Sequence, residues 1–461
     1  MTWTSIDPST GDVVTRVPET SAEEAEEALD AALRAQRQWR RASFAERAAV
    51  LERAAELLRA RVDAHAELMA REMGKPVRQG RAEVEKCAWV CEYYADRAED
   101  QLAPVQPDAS DLAGRAYVAF EPLGTVLAVM PWNFPFWQVF RFAAPTLMAG
   151  NATLLKHAPN VPGCARAIER VFTEAGLPEG LFRSLYIDVE RTHALIRDRR
   201  VAAVTLTGSV RAGRAVAATA GEALKKTVLE LGGSDPYIVL ADADLDRAAG
   251  ACVESRLINS GQSCIAAKRF IVLDEVYEAF LERVIAGMSA ARVGSPLDEA
   301  TDVGPLARLD LRDALHEQVA RSVGAGARCV LGGEPAGGPG AFYPPTVLVD
   351  APAGSPAYRE ELFGPVAVVL RARDEAEAVR LANDTPFGLG GGVFTRDAAR
   401  GEALARYELE VGSAFVNTYV RSDPRLPFGG VKESGYGREL GAFGIREFVN
   451  VKTIWVEGDV R

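Results

Sequence analysis

The first residues, MTWTSIDPSTGDVVTRVPET, contain neither the basic segment nor the apolar segment of a signal peptide. No apolar run reaches the roughly 18 residues that a membrane helix needs. A cytoplasmic location is therefore the expectation, with no membrane as partner. Positive charge is in deficit: 53 Lys and Arg stand against 64 Asp and Glu, a net charge of −11. That balance argues against nucleic acid and anionic lipid, which both need a basic face. Cysteine is sparse, six in 461 residues, too few for a disulfide framework. CxxC pairs are absent and the four histidines, His65, His157, His193 and His316, are scattered, so no metal site is expected. Cys87, Cys91, Cys164, Cys252 and Cys329 read as small buried hydrophobes. Repeats and low-complexity tracts are missing too.

What is present is the composition of a globular protein, 48% hydrophobic and 25% charged, in a chain long enough for two or three domains. Residues 21–100 carry helical periodicity. Ser21 with Glu24 and Ser43 with Glu46 mark helix starts, the second opening one helix over 43–74. From 113 the stretch AGRAYVAFEPLGTVLAVMPW turns to strand composition around Pro-Leu-Gly. Between 134 and 250, short apolar strands alternate with helical stretches, and a second such series runs from 251 to 430. Both imply βαβ units and mostly parallel sheets. The segment EFVNVKTIWVEG reads as a final strand in need of a partner.

Three stretches set glycine or proline beside one polar group. In LELGGSDP, Gly-Gly ends a strand and leaves Glu230 at its carboxyl edge, where α/β sheets place their sites. In PWNFP, Pro131 and Pro135 bracket Asn133 and fix its amide. In NSGQSCIAA, small residues leave room for a substrate and a backbone N–H to approach Cys264. Thiol, carboxylate and amide together suit acyl chemistry: a nucleophile, a base for water and an oxyanion donor. No histidine lies in comparably special sequence, which weakens a thiol hydrolase. On spacing alone, Cys264 stays open between a nucleophile and a packed thiol. A fourth stretch, AVTLTGSVRAGRAVA, reads as strand, turn and helix start, where N–H groups can hold a pyrophosphate.

Taken together, PWNFP, TLTGSVRAG, LELGGSDP, NSGQSC, EELFGPV and PFGGVKESGYGREL resemble, in order and separation, the aldehyde dehydrogenase superfamily over nearly the whole chain. Through LLKHAPNVPGCA and AAKRFIV the sequence is similar to the shorter bacterial succinate-semialdehyde dehydrogenases. The resemblance implies an α/β fold: a Rossmann-like cofactor domain (1–103 and 123–233), a catalytic α/β domain (234–430) and a β-arm for oligomerisation (104–122 and 431–461). It implies a homodimer or homotetramer and NAD or NADP as cofactor. Cys264 would attack the aldehyde, the Asn133 amide and the Cys264 N–H would hold the oxyanion, and Glu230 would activate water. Lys156 would meet the adenosine ribose, Gly208 and Ser209 the pyrophosphate, and Glu361 with Phe363 the nicotinamide end, with Trp132 lining the cleft. Many NAD-preferring relatives carry a glutamate three residues after this lysine. Pro159 stands there instead, and His157 adds a donor, so NADP is expected to be accepted.

For the substrate, Arg141 lies in an otherwise apolar segment and needs an anionic partner. Succinate-semialdehyde dehydrogenases have an arginine at the matching position for the substrate carboxylate; in this chain Trp137 and Phe428 would then wall a short tunnel suited to a four-carbon chain. The second arginine that those enzymes often carry is Ile258 here, leaving Arg256, Arg421 or Arg425 as replacements. The expected reaction is oxidation of succinate semialdehyde to succinate. The alternatives are a broad aliphatic aldehyde dehydrogenase, a CoA-acylating semialdehyde dehydrogenase, for which Glu230 would be superfluous, and a non-catalytic structural relative.

Overall fold

The computed structural model describes residues 2–108 and 114–457. Parts of the expected arm, 109–113 and 458–461, lie outside the described residues.

The helical layer consists of Ala22–Trp39, Phe44–Ala60, Val62–Met73 and Val77–Gln101. Both expected starts are reciprocal capping boxes: the Ser21 and Ser43 hydroxyls accept from the Glu24 and Glu46 N–H groups, and each glutamate accepts from its serine N–H at 2.7 Å. The single helix expected over 43–74 is instead two, broken at Arg61 (φ −125°, ψ 23°). Neither glycine nor proline marks the break. Both pieces pack on Val77–Gln101, but the second turns to reach the strand Thr2–Ile6 as well. Tertiary packing decides the boundary, and local propensity is silent about it.

Five parallel strands form the first sheet, in the spatial order Phe182–Ser184, Ala152–Lys156, Thr125–Val129, Val201–Thr207, Lys226–Glu230. The chain starts in the middle, winds one way, then returns to wind the other. Strand order therefore reverses beside Thr125–Val129, and the carboxyl ends of its neighbours open into a crevice. These strands are near-continuous apolar runs because both faces are covered. A two-residue strand, Gly435–Tyr436, pairs antiparallel with the outer edge and sets Gly435 opposite Glu230.

The second sheet runs Arg328–Leu331, Thr346–Val349, Val366–Ala372, Ala267–Leu273, Asp235–Val239, Gly390–Phe394, Ser413–Val416, parallel except at the first edge pair. Cys264 and Glu361 precede the strands Ala267–Leu273 and Val366–Ala372, so both lie at amino edges of this sheet. Asn133, Lys156, Ser209 and Glu230 lie at carboxyl edges of the first sheet. Direct hydrogen bonds join the two edges, Asn133 to Gln262 and Gly233 to Glu361, and the functional groups converge on that seam.

The final strand, Val449–Val456, finds its partner in Arg115–Pro122, from Val449 opposite Pro122 to Val456 opposite Arg115. This two-stranded ribbon belongs to neither main sheet and leaves Val451 and Trp455 more than half exposed. Among the described residues no helix is long and apolar enough to cross a membrane, and no group of three or more His, Cys, Asp or Glu could hold a metal ion.

Candidate active site

Cys264 sits at the end of a strained loop. Asn259, Ser260 and Gly261 take left-handed backbone angles in succession (φ 54°, 56°, 78°). For a non-glycine residue that costs about 1–3 kcal/mol. Hydrogen bonds offset the cost. The Asn259 amide donates to Asn133 O at 2.6 Å and to Gln262 O at 3.0 Å, its N–H donates to Gln79 Oε1, and Ser260 Oγ accepts from Gly304 N–H. Glycine is required at 261 because a Cβ would overlap the Gly364 carbonyl. Beyond the cysteine, the buried Lys268 ammonium donates to the carbonyls of Ser263, Cys264 and Ala266 at 2.8–3.3 Å, clamping the loop from behind.

The Asn133 amide donates one hydrogen to Gln262 O at 3.1 Å. An amide nitrogen carries two, so the second remains for an oxyanion, beside a Cys264 N–H that takes no hydrogen bond among the described residues. The turn holding Asn133 is tied down twice. Buried Glu83 accepts from the N–H groups of Phe136 and Trp137 at 2.9 Å, capping the helix Trp137–Met148, and pairs with buried Lys75, whose ammonium lies 3.8 Å from the Phe134 ring centre. His157 supplies the other tie, and here the structure corrects the sequence reading. It is buried, its Nδ1 accepts from Ala158 N–H, and its Nε2–H donates to Pro135 O at 3.0 Å. Burial holds it neutral, its pKa down to about 4, so it braces the Asn133 turn and offers no charge to a cofactor phosphate.

Burial pushes the Cys264 thiol up to about 12, against the pull of Arg141 and Lys268, so the resting sulfur is protonated at neutral pH. Glu230 is 2% exposed at its strand end, with neither carboxyl oxygen hydrogen-bonded. Burial holds its carboxyl well above the usual range; Arg141 pulls it down and Glu439 pushes it further up. Glu439 is itself buried and ion-paired to Arg141. The buried arginine thus already has the anionic partner that its surroundings demand. Arg141 is 2% exposed, 3.4 Å from Thr207 Oγ1 and 4.8 Å over the Phe428 ring.

A cavity of about 270 Å³ opens on Cys264, with Trp137, Arg141, Phe428 and Lys86 in its walls. Of the replacement arginines, Arg421 reaches this cavity. Arg425 is exposed and paired with Asp423, and Arg256 is buried behind the cysteine loop, bonded to Gly261 O. Glu230 does not line the cavity in this conformation; its Oε1 packs beside Gly429. Cys329 also departs from expectation, lying exposed on an edge strand with its Sγ donating to Leu331 O, whereas Cys87, Cys91, Cys164 and Cys252 are buried. An edge strand covered on one side only leaves its outer residues to solvent.

On the other side of the seam, the chemistry fits a dinucleotide. Ser209 caps the helix Val210–Glu222, accepting from Ala212 N–H, and Gly208 donates to Glu230 O, which leaves an open helix amino end at the crevice. Lys156 ends the strand Ala152–Lys156, on the far side of Thr125–Val129 from this turn, half-buried. Glu361 is oriented by Gly233 N–H at 3.0 Å and by Lys268 at 3.7 Å, and a Cβ at Gly232 would strike its carboxylate. Phe363 and Trp132 meet edge to face at 5.7 Å. Sequence reasoning missed Lys75, Glu83, Lys86, Lys268 and Glu439. Only Lys268 left a trace, as one of two charges interrupting an apolar strand in AAKRFIV.

Residues 1–454 match the aldehyde dehydrogenase family. The chain is 49% identical to the succinate semialdehyde dehydrogenase (NAD(P)+) Sad of Escherichia coli (strain K12), covering 98% of this chain and 97% of the relative. It is equally similar, at 49%, to a succinate-semialdehyde dehydrogenase (NADP+) of Mycolicibacterium paratuberculosis, covering 98% and 96%. Among solved structures, the succinic semialdehyde dehydrogenase of Streptococcus pyogenes in complex with NADP+ superposes with a TM-score of 0.95 at 38% identity, covering 99% of this chain and all of that one. A full-length family match, close relatives along the whole chain and the seam of thiol, amide and carboxylate agree: this chain belongs to the aldehyde dehydrogenase family.

Proposed function

We propose that this protein oxidises succinate semialdehyde to succinate with NAD or NADP. The observation that carries the substrate is the cavity itself: a space of about 270 Å³ is lined by Cys264, by the cationic Lys86, Arg141 and Arg421, and by Trp137 and Phe428, a lining suited to a short chain that ends in a carboxylate. The names of the close relatives point the same way.

In this reading the Cys264 sulfur first loses its proton to water in the cavity on which it opens, which leaves Glu230 as the base for the later step. The thiolate adds to the aldehyde carbon. The second Asn133 amide hydrogen and the Cys264 N–H hold the resulting oxyanion, each such donor contributing about 3 kcal/mol. When bound, the dinucleotide supplies a hydride acceptor. Gly208, Ser209 and Lys156 hold its phosphate and ribose end, and Glu361, Phe363 and Trp132 position the reacting end. Departure of hydride leaves a thioester on Cys264. Glu230 then takes a proton from water, whose oxygen attacks the thioester carbon, and the carboxylate departs as the thiol re-forms. For this the Glu230 side chain must swing from Gly429 toward Cys264.

The division into cofactor part, catalytic part and arm belongs to the same proposal, as do a cytoplasmic location and a homodimer or homotetramer. The exposed ribbon supports the last, because an isolated two-stranded unit is marginal until another surface covers it. Initial rates for a panel of aldehydes with each cofactor test the assignment. Succinate semialdehyde is expected to exceed butanal in kcat/KM, and equal values would leave a broad aliphatic dehydrogenase. Both cofactors are expected to support turnover, because Pro159 puts no carboxylate beside Lys156; a preference above about a thousandfold, some 4 kcal/mol, would contradict this.

A further inference from the structure

Lys86 stands one turn beyond Glu83 on the helix Val77–Gln101, in the wall of the cavity that holds Cys264, Trp137 and Arg141. Its ammonium lies 4.4 Å from the Trp137 ring centre and donates to Ser422 Oγ at 2.8 Å. A ring face and a hydroxyl are neutral partners. The surrounding carboxylates are committed elsewhere: Glu83 to Lys75, Asp423 to Arg425, and Glu439 to Arg141. Among the described residues Lys86 has no ion-pair partner. A largely buried cation without a counter-charge is unfavourable, and an anionic ligand relieves it. Arg141 is in the opposite position, already neutralised by Glu439. Because Ser422 Oγ accepts from Lys86, its own hydrogen is free to be donated to a carboxylate oxygen.

We propose that Lys86, working with Ser422, supplies a largely buried, uncompensated positive charge that selects aldehydes with a carboxylate at the far end, Arg141 adding a hydrogen bond from an already neutral pair and the exposed Arg421 remaining solvated at the cavity's edge. This rests on the substrate reading above and assigns its specificity to a lysine of the helical layer.

The proposal carries a pH signature. Burial, chiefly, and then Arg141 disfavour the charged form of Lys86, while Cys87, Asp423 and Glu83 favour it, and the balance leaves Lys86 at about 8. Above that pH the counter-charge disappears. Titration of Cys264 and Glu230 affects every aldehyde alike, so the ratio of kcat/KM for succinate semialdehyde to that for butanal isolates Lys86.

The test measures this ratio for the full-length enzyme from about pH 7 to 9.5, in wild type, Lys86→Met and Lys86→Arg. The wild-type ratio is expected to fall above the lysine pKa, by up to about tenfold per pH unit, until it meets the Lys86→Met value. Lys86→Met is expected to lower the ratio at neutral pH by about tenfold or more, through KM for succinate semialdehyde and with little effect on kcat, and to abolish its pH dependence. Lys86→Arg is expected to keep the ratio high and flat. A flat wild-type ratio, or a Lys86→Met ratio within about twofold of wild type, overturns the proposal. Should Lys86→Met not fold, the wild-type profile and Lys86→Arg still decide. A wild type that does not favour succinate semialdehyde at neutral pH refutes the substrate reading instead, whatever the variants do.

Discussion

Replacing Arg141 with methionine fits the volume and removes the charge, and the structure makes the consequence specific. Glu439 is buried, Arg141 is its ion-pair partner, and Glu230 is held down by the same guanidinium. Arg141→Met therefore strands two buried carboxylates. Deleting one partner of a buried pair costs about 3–5 kcal/mol. For a chain this long, unfolding entropy near 2.1 cal/mol/K per residue amounts to roughly 1 kcal/mol per degree, so a drop of about 3–5 °C in Tm is expected. Adding Glu439→Gln removes the stranded charge and should recover more than half of that loss. The pH dependence follows from the sign. Without the arginine both carboxyls rise further above their unfolded values, which favours the folded state while they are protonated and penalises it as pH rises and they ionise. The deficit of Arg141→Met should thus be larger at pH 8 than at pH 5. Thermal unfolding of the single and double variants, by calorimetry at both pH values, measures all of this. A single variant within about 1 °C of wild type, or a double variant no more stable than the single, would refute the pairing as the force that holds Arg141.

Glu230→Gln should slow the release of product after hydride transfer, so rapid mixing should give a burst of reduced cofactor before a slow steady state; equal loss of both phases would assign Glu230 to thiol activation or to structure instead. With the Cys264 thiol pushed up to about 12, kcat/KM for any aldehyde is expected to climb with pH across the neutral range, and a profile that peaks near pH 6 and then falls would mean that the cysteine is ionised at rest. Glu83→Gln leaves Lys75 without its counter-charge and loosens the cap on the helix behind Asn133, so kcat should fall about tenfold or more with KM little changed, whereas a purely structural role would lower Tm and leave kcat of the folded enzyme intact.

The stretches legible in the sequence were those in which chemistry and backbone constraint share a few neighbouring residues. Pro131 and Pro135 flank Asn133, Gly-Gly follows Glu230, and Asn-Ser-Gly precedes Cys264 and takes left-handed angles, which Asn and Gly tolerate best and Ser260 takes under strain. Both capping boxes were readable for the same reason. Lys75, Glu83, Lys86 and Glu439 left no such mark. Each sits in an ordinary amphipathic or loop context, where a charge reads as a solvated face, and only the packing of helix on helix turns it inward. His157 shows the converse: beside Lys156 it read as a donor for the cofactor, but the side chain turns to the Pro135 carbonyl, and no local pattern announces that.

The partnership of Arg141 with Glu439 also bears on how the protein is made. A ribosome adds about 5–20 residues per second, so the arginine emerges roughly 15–60 s before the carboxylate that neutralises it, and the same delay separates Arg115–Pro122 from its ribbon partner Val449–Val456. During that interval the nascent first sheet also lacks the Gly435–Tyr436 edge. The amino-terminal half therefore spends its synthesis with an unpaired cation at its centre and open strand edges at its rim, the state in which chaperone capture or premature pairing with a neighbouring nascent chain competes with folding.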